Sequence, residues 1–108
     1  MYVKIIKLNT VSSTNDCALR LASGGAKEIT IVKASHQSQG KGRRGRKWLS
    51  APDRGIYVSF IFTPANSLAQ VYYLPLILAL AVVRALKGIL PLTIKLPNDV
   101  FSGSKKIA

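Results

Sequence analysis

Apolar and polar positions follow one another along this chain in short blocks. Residues 2–8 are rich in Val and Ile and predict a first strand. Ser12, Ser13 and Thr14 then offer hydroxyl caps to a helix reaching about Ala22, and Ser13 with Asp16 three residues on forms a near capping box. Gly24 and Gly25 stop that helix, and the β-branched run 29–34 predicts a buried strand. Strand, helix and strand in this order set an α/β or α+β rhythm.

Residues 35–47 contain three glycines and no apolar side chain between Ala34 and Trp48, which predicts a long solvent-exposed loop. Residues 55–62 alternate Ile56, Val58, Phe60 and Phe62 against Tyr57, Ser59 and Ile61, a strand with at least one face in the core, closed by Pro64. A helix follows, starting between Tyr73 and Pro75 and running to about Lys87, with Gly88 at its end. It is apolar nearly all round until Arg84, the pattern of a centrally buried helix. Residues 92–96 predict a strand broken by Pro97 and Asn98, after which Val100 and Phe101 lead into a Ser102-Gly103-Ser104 turn. The arm leaving that turn, 105–108, has four residues, too few to close a sheet edge, so the expectation is part of a larger domain. No repeat or low-complexity segment is visible.

Composition narrows the class. The chain has 108 residues, 48% hydrophobic and 19% charged, the length of one domain with room for one core and too apolar for disorder. A single cysteine, Cys17, excludes an internal disulfide and fits a reducing cytoplasm. The apolar run 71–83 is shorter than the roughly 20 residues that span a bilayer and contains Pro75, and residues 1–8 lack the apolar core of a signal peptide. The expectation is a soluble cytoplasmic protein with no membrane partner.

Sixteen Lys and Arg against four Asp and Glu give a net charge of +12, which calls for an anionic partner. Lys41, Arg43, Arg44, Arg46 and Lys47 place five cations in seven residues. Between Gly40 and Trp48, glycines let backbone approach a ligand closely while guanidinium groups offer bidentate donors to phosphate or carboxylate. The segment lacks the Gly-Lys-Ser/Thr ending of a Walker loop. Composition alone gives equal weight to a nucleic-acid loop and a nucleotide-phosphate loop, and a solvated basic surface is the ordinary reading of a charge run. Lys95-Leu96-Pro97-Asn98-Asp99 sets an amide and a carboxylate at a strand end, where ligands sit in open sheets and where plain turns also occur. Ser13, Thr14 and Asn15 suit either capping or a polar ligand. His36 has no partner pattern and is assigned no role.

Ser13-Thr14-Asn15 after one strand, GKGRRGRKW after the next, KLPND and a Lys-Lys-Ile-Ala ending occur in one order, and this order resembles the catalytic domain of biotin protein ligases. The resemblance covers residues 11–108 and about the first half of that domain, so the chain reads as a partial biotin/lipoate protein ligase domain over 1–108, without an N-terminal helix-turn-helix or the C-terminal β-domain. It implies an α+β fold, a mixed β-sheet with packed helices of the class II aminoacyl-tRNA synthetase and biotin synthetase type, truncated. By position, Ser13, Thr14, Asn15 and Gln37 line the biotin pocket, and Lys41, Gly42 and Arg43 fold over biotin and the adenylate. Arg43, Arg46, Trp48 and Asn98 fall on the nucleotide side, Lys106 meets the biotin carboxylate and phosphate, and Asp99 stands beside the acceptor lysine. Lys106, Arg43 and Asp99 are thus the catalytic candidates. No residue is assigned as a metal ligand.

The implied substrates are biotin and ATP with Mg²⁺, and the implied partner is the biotin carboxyl carrier protein of acetyl-CoA carboxylase; homodimerisation is also implied, and DNA binding is not. Joining a carboxylate to the α-phosphorus of ATP requires cations that neutralise both anions, which accounts for Arg43, Arg46 and Lys106 without a covalent nucleophile. Lys41 stands where the family commonly has Arg, and Leu96 where it has Trp. A nucleic-acid-binding module, a lipoate ligase and an inactive ligase fragment are the competing readings.

Overall fold

The computed structural model describes residues 2–26, 29–63 and 68–108, in two compact units, Met1–Thr63 and Pro64–Ala108. In the first unit, strand β1 (Val3–Val11) leads into helix α1 (Thr14–Ser23), which returns the chain to β2 (Ile29–Gln37). Because α1 is a crossover, β1 and β2 run parallel, Val3 beside Ile29 and Val11 beside Gln37. Strand β5 (Tyr57–Ile61) pairs antiparallel on the other side of β2, giving the order β1-β2-β5.

The capping expectation holds: Ser13 is the N-cap and its hydroxyl accepts the Asp16 N–H at 3.2 Å. Gly24 is the C-cap, and Gly25 takes φ +89°, a left-handed conformation open to glycine. Helix α1 packs on β2 and β5, and the sheet face beneath it holds the core of the unit, Thr30, Val32 and Ala34, with Ala18 of the helix also buried. Burying a side chain such as Val32 stabilises by about 1.5–3 kcal/mol. The opposite face aligns Ile5, Ile31 and Phe60 across the three strands, and Val3, Ile5 and Phe60 are exposed.

Two expectations need correction in this unit. Both β1 and β2 run three residues further than their apolar blocks, because ladder hydrogen bonds continue through polar residues. The segment 35–47 is not an unstructured loop. After β2 ends at Gln37, β3 (Gly40–Lys41) pairs antiparallel with β4 (Lys47–Trp48) around a 3-10 turn at Arg43–Gly45. Gly42 donates its N–H to the Arg46 carbonyl at 2.7 Å, and Arg44 and Gly45 take φ 58° and 74° to make the reversal. Hydropathy does not report backbone pairing, so a basic ribbon reads as loop. Strand β5 lies where the alternation predicts a strand, with Tyr57, Val58, Ser59 and Ile61 half-buried and Phe60 exposed. The break assigned to Pro64 lies outside the described residues.

In the second unit a 3-10 segment, Leu68–Tyr73, precedes α2 (Leu74–Ala85), which carries Pro75 in its first turn. Strands β6 (Thr93–Lys95), β7 (Asp99–Ser102) and β8 (Lys105–Lys106) form an antiparallel meander on which α2 packs. Gly103 at φ +61° makes the two-residue turn, and the final arm pairs along its length, with Val100 bonded to both Ile107 and Ala108. Val100 is buried at the centre of this unit. Helix α2 is not the buried helix its pattern predicts: Ala79 is its buried residue, and Ile77, Leu78 and Leu80 are exposed. A helix apolar all round has more apolar surface than one three-stranded meander can cover. Among the described residues, no helix is long and apolar enough to cross a membrane.

Candidate ligand site

Parallel pairing brings the ends of β1 and β2 together, and the chain exploits that end. Ser38 and Gln39 donate their amides to the carbonyls of Val11 and Ser12, at 2.9 and 2.7 Å, so both connections leave the sheet locked side by side. The start of α1 therefore lies against the Gln37 side chain. Gln37 Oε1 accepts the Thr14 backbone N–H at 2.8 Å and the Thr14 hydroxyl at 3.0 Å, while Nε2 donates to Ser50 Oγ at 2.9 Å. A threonine hydroxyl has one proton, and Thr14 uses it on Gln37, so Ser59 donates to Thr14 Oγ1 at 2.9 Å. This network orients a carboxamide and three hydroxyls at the N-terminus of α1, next to buried Ser13 and exposed Asn15.

The segment after the ribbon is pinned to the same strands. His36 Nδ1 donates to the Ser50 carbonyl at 2.6 Å, Tyr57 donates its phenol to the Ala51 carbonyl at 2.8 Å, and the Asp53 amide donates to the Ser35 carbonyl at 3.0 Å. His36, given no role from sequence, thus fixes the backbone of the residue that binds Gln37. Gly40 is buried where the ribbon leaves this network; a Cβ there would meet the Trp48 carbonyl at 2.6 Å and Ser50 Oγ at 2.9 Å. From that anchor Lys41, Arg43, Arg44, Arg46 and Lys47 project as exposed side chains, and Lys41 Nζ lies 2.7 Å from Asp16 Oδ2 in the first turn of α1.

The second unit carries the remaining candidates. Asp99 and Lys106 belong to adjacent regions of the meander, and Lys106 Nζ lies 3.0 Å from Asp99 Oδ1. Asp99 stands opposite Lys95 in the ladder, and Lys95 Nζ rides 6.0 Å from the Phe101 ring centre. Asn98, half-buried, occupies the turn just before Asp99, and Leu96 is exposed. Among the described residues, no three His, Cys, Asp or Glu side chains cluster as a metal cage.

Within the first unit, then, the structure joins Thr14 to Gln37 and Lys41 to α1; within the second it joins Asp99 to Lys106. Sequence reasoning missed Ser50, Ser59 and Asp16. Ser59 left a signal, a hydroxyl in the middle of an otherwise apolar strand; Ser50 and Asp16 act through partners that only folding brings near.

Each unit is thus a small sheet with one helix packed on it, mixed in the first unit and antiparallel in the second, and solved biotin protein ligases share this fold. The chain superimposes on the biotin protein ligase of Leishmania major in complex with biotinyl-5-AMP with a TM-score of 0.79 at 29% identity, covering 95% of this chain and 49% of that one. On the ligase of Aquifex aeolicus in complex with biotin and ATP the TM-score is 0.77 at 39% identity, covering 95% and 43%.

Residues 8–108 match the biotin/lipoate A/B protein ligase family, and the chain belongs to it. Curated relatives include the bifunctional ligase/repressor BirA of Bacillus spizizenii, 36% identical over 104 residues, covering 94% of this chain and 32% of the relative. The biotin--[acetyl-CoA-carboxylase] ligase of Paracoccus denitrificans is 34% identical over 106 residues, covering 94% and 43%. The chain thus spans 32% to 43% of the length of these relatives.

Proposed function

We propose that this chain supplies the biotin-binding part of an ATP-dependent biotin protein ligase, which activates biotin as biotinyl-5′-AMP and transfers it to a lysine of a biotin carboxyl carrier protein. The observation that carries this reading is the Thr14–Gln37 network at the joint end of two parallel strands, from which the basic ribbon departs within three residues. A ureido ring has two N–H donors and one carbonyl acceptor; the hydroxyls of Ser13, Thr14 and Ser59 with the amides of Gln37 and Asn15 are the complementary set.

In the first step a biotin carboxylate oxygen attacks the α-phosphorus of ATP, and pyrophosphate leaves. Two anions meet there, so the barrier falls with the cations placed around them. Lys41, Gly42 and Arg43 cover biotin and the adenylate, Arg46, Trp48 and Asn98 serve the nucleotide, and Lys106 bridges carboxylate and phosphate. Mg²⁺ arrives on the phosphates of ATP, which is how a cation that keeps its waters is ordinarily bound. In the ligand-free chain Asp99 neutralises Lys106. When the substrate anions take over that ammonium, the Asp99 carboxylate is released to receive a proton from the acceptor lysine, whose amine attacks the anhydride carbonyl and expels AMP. The ribbon, closing over the anhydride, keeps water from it. This reading places the enzyme in the cytoplasm as a homodimer, with no duplex-DNA partner.

The test is mass-spectrometric detection of biotinyl-5′-AMP after incubation with biotin, ATP and Mg²⁺, alongside calorimetric titration with biotin. The parent chain is expected to bind biotin and form adenylate, and Lys106→Ala to lower adenylate formation on the order of 100-fold while still binding biotin. A folded chain that neither binds biotin nor forms adenylate would overturn the reading.

A further inference from the structure

The chain has four acidic residues, and one of them, Asp16, sits where it meets the basic ribbon. Its backbone is fixed by the Ser13 cap, and its carboxylate reaches Lys41 Nζ at 2.7 Å across 25 positions of sequence. The ribbon needs such a contact. Its ladder is two residue pairs long, Gly40 with Trp48 and Lys41 with Lys47, and from Lys41 to Lys47 it has no apolar side chain to bury. One of those two pairs sets like charges directly opposite each other, a destabilising arrangement. The Asp16 carboxylate offsets the charge on Lys41 and ties β3 to a rigid helix turn.

We infer that Asp16 is a positioning residue, a latch that holds the base of the basic ribbon folded before any anion is bound. Substrate carboxylate and phosphate then take over the neutralisation that Asp16 performs in the free chain. The latch itself is independent of the proposed function; its kinetic consequence for biotin rests on that reading.

The experiment is hydrogen exchange of the segment 40–48, read by mass spectrometry on the ligand-free chain. Asp16→Asn leaves the opposed Lys41 and Lys47 uncompensated and is expected to speed exchange of the ribbon about two- to fivefold, the range of an exposed ion pair. In the Lys41→Gln background the same substitution is expected to leave ribbon exchange unchanged, since its partner is gone; any contribution Asp16 makes to the helix itself is common to both backgrounds and cancels in the comparison. Asp16→Glu, which keeps the charge, restores slow exchange. Unchanged exchange in Asp16→Asn, or equal acceleration in the Lys41→Gln background, would overturn the latch. In adenylate formation, Asp16→Asn is expected to raise KM for biotin two- to fivefold with kcat unchanged; a fall in kcat with KM unmoved argues against a positioning role. If the folded parent chain neither binds biotin nor makes adenylate, the proposed function fails while the exchange result still decides the latch.

Discussion

Gln37 shows how much one side chain organises. Its carbonyl oxygen holds both the amide and the hydroxyl of Thr14, and its amino group holds Ser50, so three elements converge on one carboxamide. Gln37→Ala would leave the Thr14 N–H and the Ser50 hydroxyl without this partner in a part-buried setting. The expected cost is about 1–3 kcal/mol in a denaturant titration, together with loss of biotin binding. Ser13 was legible as a cap from its spacing to Asp16, because capping is local. The bond from Thr14 to Gln37 was not, because it depends on the register of two parallel strands joined through a helix. The resemblance pointed to both residues as pocket lining, and the geometry adds that each holds the other in place.

Among the elements, the basic ribbon departs furthest from its sequence pattern. It folds through backbone bonds and one buried glycine, neither of which leaves a hydrophobic trace. Gly40→Ala would drive a methyl group to 2.6 Å from the Trp48 carbonyl, so β3 and β4 would have to separate. The expected outcome is rapid tryptic cleavage after Arg43 and Arg44 with the melting temperature of the chain little changed; cleavage at the parent rate would show that the ribbon absorbs the methyl. The helices were legible from their caps and from Pro75, and the strands from β-branched runs. Which face each element buries was less so. Ser59 rather than Phe60 faces α1 because the Thr14 hydroxyl lies there, and α2 exposes Ile77, Leu78 and Leu80 because the meander covers one side of it.

Taken whole, the molecule combines +12 net charge with many exposed apolar side chains, among them Ile5 and Phe60 on one sheet and Ile77, Leu78 and Leu80 on α2. Surfaces of this kind mark contact regions. The folded chain is expected to bind an anilinonaphthalene sulfonate dye while melting cooperatively; no dye signal below the transition would mean that these side chains are covered in solution. The order β1, α1, β2 has a practical consequence as well. Because β1 and β2 are parallel, the bend that ends α1 lies at the opposite end of β2 from Gln37. Eight steps of strand at roughly 3.3 Å each separate Ile29 from Gln37, about 26 Å. An affinity handle or a fluorophore spliced in after Ala26 leaves the amide hydrogen bonds of Gly24, Gly25 and Ala26 to α1 intact and stands at the far end of β2, well away from the Thr14–Gln37 network.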